Sequence, residues 1–292
     1  NITSRERLRT LTKQLQSYSD GHLLIALDQE GGRVARLKTE YGFHPTVSHK
    51  YLGEMNNRDT TAHYASVMAS DLAWAGVNMN IAPVIDVDVD PNCPVIGKLG
   101  RSFSADSAVV ARNAEWFIRA HHRKHVTCAV KHFPGHGSSA ADSHYGLTDV
   151  TLSWQPYEMH PYRYLIKHKM LHAVMTAHIF NRNIDPDYPA TLSYKTLTEM
   201  LRNQLHFDGV ILTDDMYMQG IVDNYDIAEA IILAINAGAD ILVMGNNITT
   251  GYESERPFKV VDIIVNAVKQ GKIPAYRLRQ SYERIRKLKR SL

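Results

Sequence analysis

Residues 127–137 read TCAVKHFPGHG, a short apolar run that passes directly into a polar, glycine-rich segment. The apolar part, Thr127–Val130, is typical of a buried strand, and the segment after it carries one lysine and two histidines. Parallel α/β proteins build their sites at the carboxyl ends of their strands. This stretch therefore predicts one strand of a parallel sheet with chemically active side chains at its end.

The same order of elements recurs along the chain. Apolar runs alternate with amphipathic stretches of helical spacing, which predicts an α/β fold whose parallel sheet is covered on both faces. No linker divides the chain, so we expect one domain over residues 1–292. The predicted strands are Leu23–Leu27, Asn78–Val87, Thr127–Val130, Ala173–Thr176, Val210–Thr213 and Ile241–Met244. The predicted helices are Asn1–Ser17, Thr61–Ala75, Ser107–His121, Tyr157–His168, Tyr194–Leu205, Ile227–Ala237, Pro257–Lys269 and Ala275–Leu288.

Composition excludes several classes of protein. Of the 292 residues, 44% are hydrophobic and 22% are charged, as in ordinary globular proteins and unlike disordered chains. The nearest approach to a membrane span, Ile227–Met244, contains two acids and an asparagine and is therefore too polar. Cys93 and Cys128 are too few for a disulfide scaffold, although a single bridge between them stays open.

The formal net charge of +3 is mild, and basic residues crowd the last predicted helix. We interpret them as a solvated helix face and expect no nucleic-acid partner. These residues are Arg277, Arg279, Arg284, Arg286, Lys287, Lys289 and Arg290.

Chemically capable residues follow most of the predicted strands. Asp28 follows the first strand, Lys131 the third, His178 the fourth, Asp214 the fifth and Asn246 the sixth. The carboxyl ends of barrel strands converge on one mouth. This repeated placement favours an enzyme with a single active site over a barrel that only binds.

Several familiar chemistries lack their motifs. The chain contains no dinucleotide-binding Gly-x-Gly-x-x-Gly after the first strand, no Walker motif and no Gly-x-Ser-x-Gly nucleophile elbow. A metal site is the more serious alternative, but no His-Glu-x-x-His occurs, and Pro134 disfavours a helix there. The residues of ligand type are His132, His136, His144, His178, Asp142, Asp214 and Asp215.

Asp142 and His144 lie two positions apart in a loop of small residues. In an extended loop such residues point to the same side, so the aspartate can orient the imidazole for proton transfer near neutral pH. A turn-forming aspartate beside an exposed histidine fits the sequence equally well. Asp214 ends a buried strand, where an acid is costly unless it is paired or used, and its alternative role is a helix cap beside Asp215.

Longer motifs carry more information. The most specific is KHFPGHG, residues 131–137, followed by Asp142-Ser143-His144. Further motifs are DQEGGRV at 28–34, APVIDV at 82–87, GRSF at 100–103, FDGV at 207–210 and TDDM at 213–216. In this order they resemble the bacterial β-N-acetylhexosaminidases of glycoside hydrolase family 3.

The resemblance implies a TIM-type (β/α)8 barrel and a retaining hydrolase that removes terminal, non-reducing β-linked N-acetylglucosamine, with peptidoglycan-derived muropeptides as the expected substrate. It implies Asp214, rather than Asp215, as the nucleophile, and His144 as the acid and base with Asp142 as its partner. It also implies no metal or organic cofactor. The residues that it implies for holding the sugar are Asp28, Arg36, Arg101, Lys131 and His132.

The sequence departs from the family in one respect. Family members have two further strands before the segment that matches Asn1, so we expect about six strands here and a barrel that lacks its first two strands in this chain. Because an open barrel exposes strand edges, we expect the natural gene product to be longer.

Other functions stay open from the sequence. Within the family they are a β-glucosidase and an N-acetylglucosaminide phosphorylase; outside it, they are a metal-dependent hydrolase and a non-catalytic sugar-binding barrel. We expect a monomer or weak dimer. The resemblance implies a cytoplasmic location, with the periplasm as the alternative if a preceding segment carried an export signal.

Overall fold

A computed structural model of the chain describes residues 2–21, 23–143, 146–246, 252–290 and 292. These residues form one main sheet of six parallel strands, whose spatial order follows the order of the chain. The α/β prediction is therefore confirmed, whereas the expectation that the barrel lacks its first two strands stays a prediction. The strands are β1 (Ala26–Leu27), β2 (Met79–Asn80), β3 (Thr127–Phe133), β4 (Ala173–Thr176), β5 (Val210–Asp215) and β6 (Ile241–Val243).

Helices cover the outside of this sheet. Within the described residues they are α1 (Arg5–Ser17), α2 (His49–Met55), α3 (Arg58–Trp74), α4 (Ser107–His122), α5 (His160–Lys167), α6 (Gln219–Val222), α7 (Ile227–Ala237), α8 (Arg256–Lys269) and α9 (Ala275–Arg290). A π-helix spans Lys195–Gln204, where the sequence predicts an ordinary helix. The sequence patterns miss the two short helices α2 and α6. None of the described helices is long and apolar enough to cross a membrane.

The parallel sheet is curled into a half-barrel, so that its two faces pack against different partners. The outer face joins a large apolar cluster in which Val130, Val174 and Ile211 lie with Leu72 of α3 and Phe117 of α4. On the inner face, side chains of all six strands form a second cluster, and Ile285 and Leu288 of α9 pack against it. The inner side chains include Ala26, Met79, Ala129, Met175, Leu212 and Val243.

The first strand is shorter than the predicted Leu23–Leu27 because a side chain replaces part of the ladder. The amide group of Asn78 accepts a hydrogen bond from the backbone N–H of Ile25 at 2.8 Å and donates one to the carbonyl of Leu23 at 2.9 Å. The backbone groups of this segment are thus satisfied without regular strand pairing.

The predicted strand Asn78–Val87 is regular only over Met79–Asn80. Pro83 has no N–H to give to a ladder, so the pairing is interrupted there. The chain then returns to β3, where the N–H of Ile85 donates to the carbonyl of Lys131 at 2.8 Å. This return brings the end of the segment beside Lys131 and His132 of β3.

The third strand is longer than predicted, since it continues from Val130 to Phe133 and is buried throughout. Lys131 and His132 therefore belong to a strand rather than to a loop. The register of β3 against β4 shifts between Val130 and Phe133, so these two buried residues lie at an irregularity of the strand.

The last helix, α9, is fixed at the amino-terminal end of β6 by Asp240, a fully buried carboxylate. Arg277 of α9 lies 3.1 Å from this carboxylate, and Ser281 donates a hydrogen bond to it at 2.8 Å. Arg202 of the π-helix approaches its other oxygen at 2.6 Å. The interpretation of the basic helix as a solvated face is therefore wrong for Arg277, which is 7% exposed.

Both cysteines are buried and free. The single disulfide that composition leaves open does not form between Cys93 and Cys128. Each thiol instead lies within an apolar cluster.

Candidate active site

Charged side chains gather at the carboxyl ends of β1, β3 and β5. Directly after β1 come Asp28 and Glu30, β3 supplies Lys131 and His132, and β5 carries Asp214. Because parallel strands deliver their carboxyl ends to the same edge, residues far apart in sequence meet there. Arg101, from the segment after a short 3₁₀ helix at Gly97–Leu99, completes the group.

The centre of this group is a buried network of two acids and two cations. The ammonium of Lys131 lies 2.7 Å from an oxygen of Asp28 and 2.7 Å from an oxygen of Glu30. Arg101 holds Glu30 with two parallel hydrogen bonds of 2.8 Å, from Nε and Nη2. Glu30 is 1% exposed and Lys131 is 3% exposed, so the ion pair at the centre of the network lies almost entirely out of water.

The electrostatics of the network favour the charged forms of Glu30, Lys131 and Arg101. Burial opposes ionisation of Glu30, but the charges of Lys131 and Arg101 outweigh it and hold the pKa of Glu30 well below its usual range. Burial likewise opposes the charge on Lys131, but Glu30 and Asp28 raise its pKa overall. The network thus presents fixed charges, with no adjustment needed when a ligand enters.

The network keeps hydrogen-bonding capacity for a ligand. Among the described contacts, the ammonium of Lys131 uses two of its three N–H donors, on Asp28 and Glu30. Asp28 is 35% exposed, and its second oxygen lies 3.8 Å from the guanidinium of Arg36. Arg36 itself is 55% exposed and stands at the rim. A carboxylate and several cationic donors facing one opening suit the hydroxyl and amide groups of a sugar.

A buried aspartate supports the histidines that follow. Oδ2 of Asp86 lies 2.7 Å from Nδ1 of His132, and its Oδ1 accepts the backbone N–H groups of His132 at 3.1 Å and His136 at 2.8 Å. Burial opposes ionisation of Asp86, but His132 outweighs it and lowers the pKa of the carboxyl below its ordinary value. Nε2 of His132 faces Nη2 of Arg101 at 3.4 Å.

Asp214 lies at the end of β5 as a partly exposed carboxylate. One of its oxygens accepts the N–H of Asp215 at 2.8 Å, and the other makes no hydrogen bond to any described residue. Burial opposes its ionisation, but His178, His132 and Lys131 favour the charged form, so the pKa of Asp214 lies below its ordinary value. The charged form of this acid is therefore favoured, and one of its oxygens has no hydrogen-bond partner among the described residues.

The neighbouring Asp215 is used by the backbone. Its Oδ1 accepts the N–H groups of Tyr217 at 3.0 Å and Gly245 at 2.7 Å, and its carbonyl lies 2.9 Å from Nε2 of His178. A side-chain atom added at Gly245 would lie 2.0 Å from this carboxylate, so the turn encloses it. The helix-cap alternative fits neither aspartate, because the N-cap residue of α6 is Met218 and no side chain caps this helix.

The predicted pair of Asp142 and His144 is only partly described. His144 lies outside the described residues. Asp142 is half-buried, and Ser143 beside it is buried, with its hydroxyl 3.1 Å from Nε2 of His136. The loop thus connects to the network through His136 and Asp86. The contact between Asp142 and His144 stays a prediction.

Glu30 and Asp86 are not predicted from the sequence as site residues, and His136 is considered there only as a possible metal ligand, although all three lie within the quoted motifs. The sequence feature that could have found them is their position in the motifs DQEGGRV, APVIDV and KHFPGHG, two of which also contain predicted site residues. The five predicted sugar-binding residues, in contrast, all lie in or at the rim of one network: Asp28, Arg36, Arg101, Lys131 and His132.

Neither a metal centre nor a second acidic site is found elsewhere in the described part of the chain. Among the described residues, no group of three or more side chains of metal-ligand type could hold an ion. A cavity of about 400 Å³ lies at the opposite end of the strands, between Phe207, Val210 and α9. Its lining includes a single acid, Asp208, so it lacks the paired acid chemistry of the strand ends.

Comparison with known proteins identifies the family. The chain matches the profile described as the glycosyl hydrolase family 3 N-terminal domain over residues 1–288. The chain belongs to this family. The motif resemblance is therefore confirmed, and the curled parallel sheet is explained by the TIM-barrel-like fold of family 3 domains.

Named relatives share this family 3 domain. "Beta-hexosaminidase A" of Pseudoalteromonas piscicida is 33% identical in an alignment of 319 positions, which covers 100% of this chain and 52% of that protein. A "Beta-hexosaminidase" of Idiomarina loihiensis is 36% identical over 255 residues, which cover 85% of this chain and 74% of that protein.

A solved structure gives the same result. The family 3 beta-N-acetylglucosaminidase from Paenibacillus sp. str. FPU-7 matches with a TM-score of 0.92 and 33% identity, and the match covers 100% of this chain and 55% of that one. The chain thus spans about half the length of this protein and of the Pseudoalteromonas relative.

Proposed function

We propose that this chain is the catalytic part of a retaining exo-β-N-acetylhexosaminidase that releases terminal, non-reducing β-linked N-acetylglucosamine. The observation that carries the proposal is the carboxylate of Asp214, which is ionised and has one oxygen free of described hydrogen bonds. It stands beside a network of fixed charges at the strand ends. The names of the relatives, beta-hexosaminidase and beta-N-acetylglucosaminidase, support the substrate class.

In the proposed mechanism, Asp214 attacks the anomeric carbon and forms a covalent glycosyl-enzyme. His144 protonates the leaving oxygen, and the same group then removes a proton from the water that releases the sugar. Asp142 orients the imidazole and stabilises its charged form. Retention of configuration follows because two inversions occur at the same carbon.

The charged network holds the sugar during this reaction. Asp28 accepts hydrogen bonds from sugar hydroxyls, while Lys131, Arg101 and Arg36 donate to hydroxyls and to the acetamido oxygen. His132 is fixed by Asp86, so its Nε2 edge is presented in one orientation. Since these groups are already in place, binding requires little rearrangement of the protein.

The remaining parts of the proposal concern the wider context. We infer that residues 1–292 form one catalytic unit, that peptidoglycan-derived muropeptides supply the natural substrate, and that the protein works in the cytoplasm as a monomer or weak dimer. No metal or organic cofactor takes part. Addition of a chelator should therefore leave turnover unchanged.

The decisive experiment measures release of nitrophenol from nitrophenyl N-acetylglucosaminide and from the matching glucoside. Asp214→Ala should lower turnover of the glucosaminide by at least about 10³-fold, because the covalent route is lost. Added azide should restore turnover and yield the α-glycosyl azide. Asp226→Asn, a helix-capping residue on α7 that keeps a capping side chain, serves as the control.

Three results would contradict the proposal. They are retained activity in the Asp214 variant, a preference for the glucoside, and loss of activity on chelation. Phosphate is added in a parallel assay, because a histidine acid would not repel an incoming phosphate as a carboxylate does. Formation of sugar 1-phosphate there would replace hydrolysis by phosphorolysis.

A further inference from the structure

The cavity of about 400 Å³ lies at the amino-terminal ends of β4 and β5, away from the charged network. Val210, which begins β5, lines the cavity, whereas Asp214 lies near the other end of the same strand, about 13 Å away. The volume of the cavity falls within the range of about 300–1,000 Å³ that is usual for small-molecule sites. The cavity is therefore a second place where a small ligand fits.

The wall of this cavity is apolar. Phe207, Val210 and Leu288 of α9 line it, and all three side chains are buried. Ile166 of α5 and Leu171, which precedes β4, add to the apolar lining. A wall of this kind suits the hydrocarbon part of a ligand, because apolar surface gains free energy on leaving water.

The charged groups of the lining are mostly cations. Lys169, Arg284 and Lys287 are permanently charged, and Asp208 is the single acid among the lining residues that the structure describes. The carboxylate of Asp208 is 74% exposed and lies 3.3 Å from Lys287 and 3.5 Å from Arg284. Because an exposed carboxylate is a weak partner, the cavity keeps a surplus of positive charge.

Asp240, which lies beside the lining, does not cancel this surplus. Its fully buried carboxylate is 3.4 Å from Nη1 of Arg284, but it also binds Arg202 at 2.6 Å and Arg277 at 3.1 Å. Burial lowers the pKa of Arg202 to about 10; the charge of Asp240 opposes this shift, and those of Arg284 and Arg277 add to it. Three guanidinium groups thus share one acid.

Two tight turns add basic side chains to the lining. Lys169 follows α5 with a φ of 55°, and His206 follows the π-helix with a φ of 58°. Glycine is the usual residue at this position after a helix, because a side chain costs free energy in the left-handed region. Both turns carry a basic residue despite this cost, and both residues line the cavity.

Arg284 offers a hydrogen-bond donor for an anion. Its Nε is buried and makes no hydrogen bond to any described residue, although Oδ1 of Asp208 lies 3.5 Å from it. A buried donor without a partner costs free energy, so a ligand that accepts from it gains affinity. A planar guanidinium is well suited to a carboxylate.

We propose that this cavity is a binding site for a small carboxylate with an apolar chain, of the medium-chain fatty acid type. The carboxylate accepts from Arg284 and lies near the ammonium groups of Lys169 and Lys287. The chain lies against Phe207 and Val210. The site goes beyond the proposed function, because it is at the end of the strands opposite to Asp214.

The test is calorimetric titration of the protein with octanoate. Octanol and octyltrimethylammonium serve as probes that share the chain but lack the negative charge. Octanoate should bind with a Kd below about 1 mM, as expected for a ligand of this size in a fitting cavity. The neutral and cationic probes should bind at least about tenfold more weakly, because the charged hydrogen bond to the guanidinium is lost.

Two variants locate the bound anion. Arg284→Gln should weaken octanoate binding at least about tenfold, since the guanidinium donor is removed. The double variant Lys169→Gln/Lys287→Gln should weaken it about threefold or more, and both lysines are exposed, so the fold is not at risk. The matched control is Lys167→Gln/Lys289→Gln, which loses the same charge from exposed lysines outside the lining and should keep the affinity.

Four results would overturn the proposal. They are equal affinity for the three probes, unchanged octanoate binding in both cavity variants, an equal loss in the control pair, and no binding of octanoate at about 10 mM. Thermal unfolding of each variant shows whether it is folded, and the lysine pair decides the matter if Arg284→Gln unfolds. Turnover of nitrophenyl N-acetylglucosaminide is measured on the same samples. Its absence in the unmodified protein would reject the proposed function and leave this site standing.

Discussion

Nδ1 of His132 lies 2.7 Å from Oδ2 of Asp86, and both side chains are buried. Because an ionised carboxylate can only accept, the ring must carry its proton on Nδ1. In the neutral ring, Nε2 is then an acceptor, and it faces the guanidinium of Arg101 at 3.4 Å. A single aspartate thus determines how this histidine is presented at the strand ends.

We expect Asp86→Asn to disturb this arrangement without changing its volume. The new amide group offers a donor to Nδ1–H, so the ring changes tautomer and turns a second donor toward Arg101. The lost charged hydrogen bonds should cost about 2–3 kcal/mol of unfolding free energy, and kcat/KM should fall at least about 10-fold. Chemical denaturation and steady-state kinetics measure the two effects.

Asp106→Asn provides the control for this change. Asp106 caps α4, and asparagine caps a helix about as well, so stability and activity should stay near those of the unmodified protein. Asp86→Asn kinetics within twofold of the unmodified protein would show that the tautomer of His132 is unimportant.

Glu30 should be essential because it lies between two buried cations. Glu30→Gln removes the carboxylate that Lys131 and Arg101 share, and breaking a buried pair typically costs about 3–5 kcal/mol. KM should rise as well, since Lys131 loses its fixed position. Glu40→Gln is the control, because the Glu40 carboxylate is 60% exposed and pairs with an exposed lysine. Equal stability of the two variants would contradict the prediction.

Much of the fold could be predicted from hydrophobic patterns because the six strands are apolar runs that are buried or partly buried between helices. The strand bounds were harder to predict, since tertiary contacts set them. The amide of Asn78 replaces ladder bonds at β1, and Pro83 interrupts the next segment. The π-helical hydrogen bonding of Lys195–Gln204 also has no signature in the spacing of apolar residues.

The residues of the candidate site also divide into those that the sequence pattern predicts and those that only the fold reveals. Asp28, Lys131 and Asp214 could be predicted because each is a charged residue at the end of an apolar strand. Glu30 and Asp86 escaped because their importance arises from partners far along the chain, Arg101 and the histidines, which only the fold brings near. The spacing of residues in the sequence shows which of them are neighbours along the chain. The partners that stabilise a buried charge are its neighbours in the folded structure.

Glu158 predicts a pH dependence of stability. Burial raises the pKa of this carboxyl to about 7 from 4.5, and a side-chain atom added at Gly135 would lie 2.9 Å from its Oε2. The folded state therefore holds the proton more tightly than the unfolded state. Stability is greatest below about pH 4.5 with respect to this group and declines by about 3 kcal/mol as the pH rises through 7.

Glu158→Gln removes this dependence, because the amide does not ionise. We expect the variant to gain stability relative to the unmodified protein as the pH rises from 5 to 8, measured by urea unfolding at each pH. Glu199→Gln, an exposed position on the π-helix, should leave the pH profile unchanged. Parallel profiles for Glu158→Gln and the unmodified protein would show that burial does not shift this carboxyl.

Asp240 should determine whether α9 stays attached at the end of the half-barrel remote from the proposed site. Its carboxylate is fully buried and accepts from Arg202 at 2.6 Å, Ser281 at 2.8 Å and Arg277 at 3.1 Å. Burial lowers the pKa of Arg202 to about 10, with Asp240 acting against the shift. Asp240→Asn should therefore destabilise the protein by about 3–5 kcal/mol and expose the basic residues of α9 to trypsin.

Asp208→Asn is the control. The carboxylate of Asp208 is 74% exposed beside Lys287, so this change should alter neither stability nor trypsin sensitivity. Because Asp240 lies at the opposite end from Asp214, the folded fraction of the Asp240 variant should keep its kcat; trypsin resistance equal to that of the unmodified protein would show that α9 is held by its apolar contacts alone.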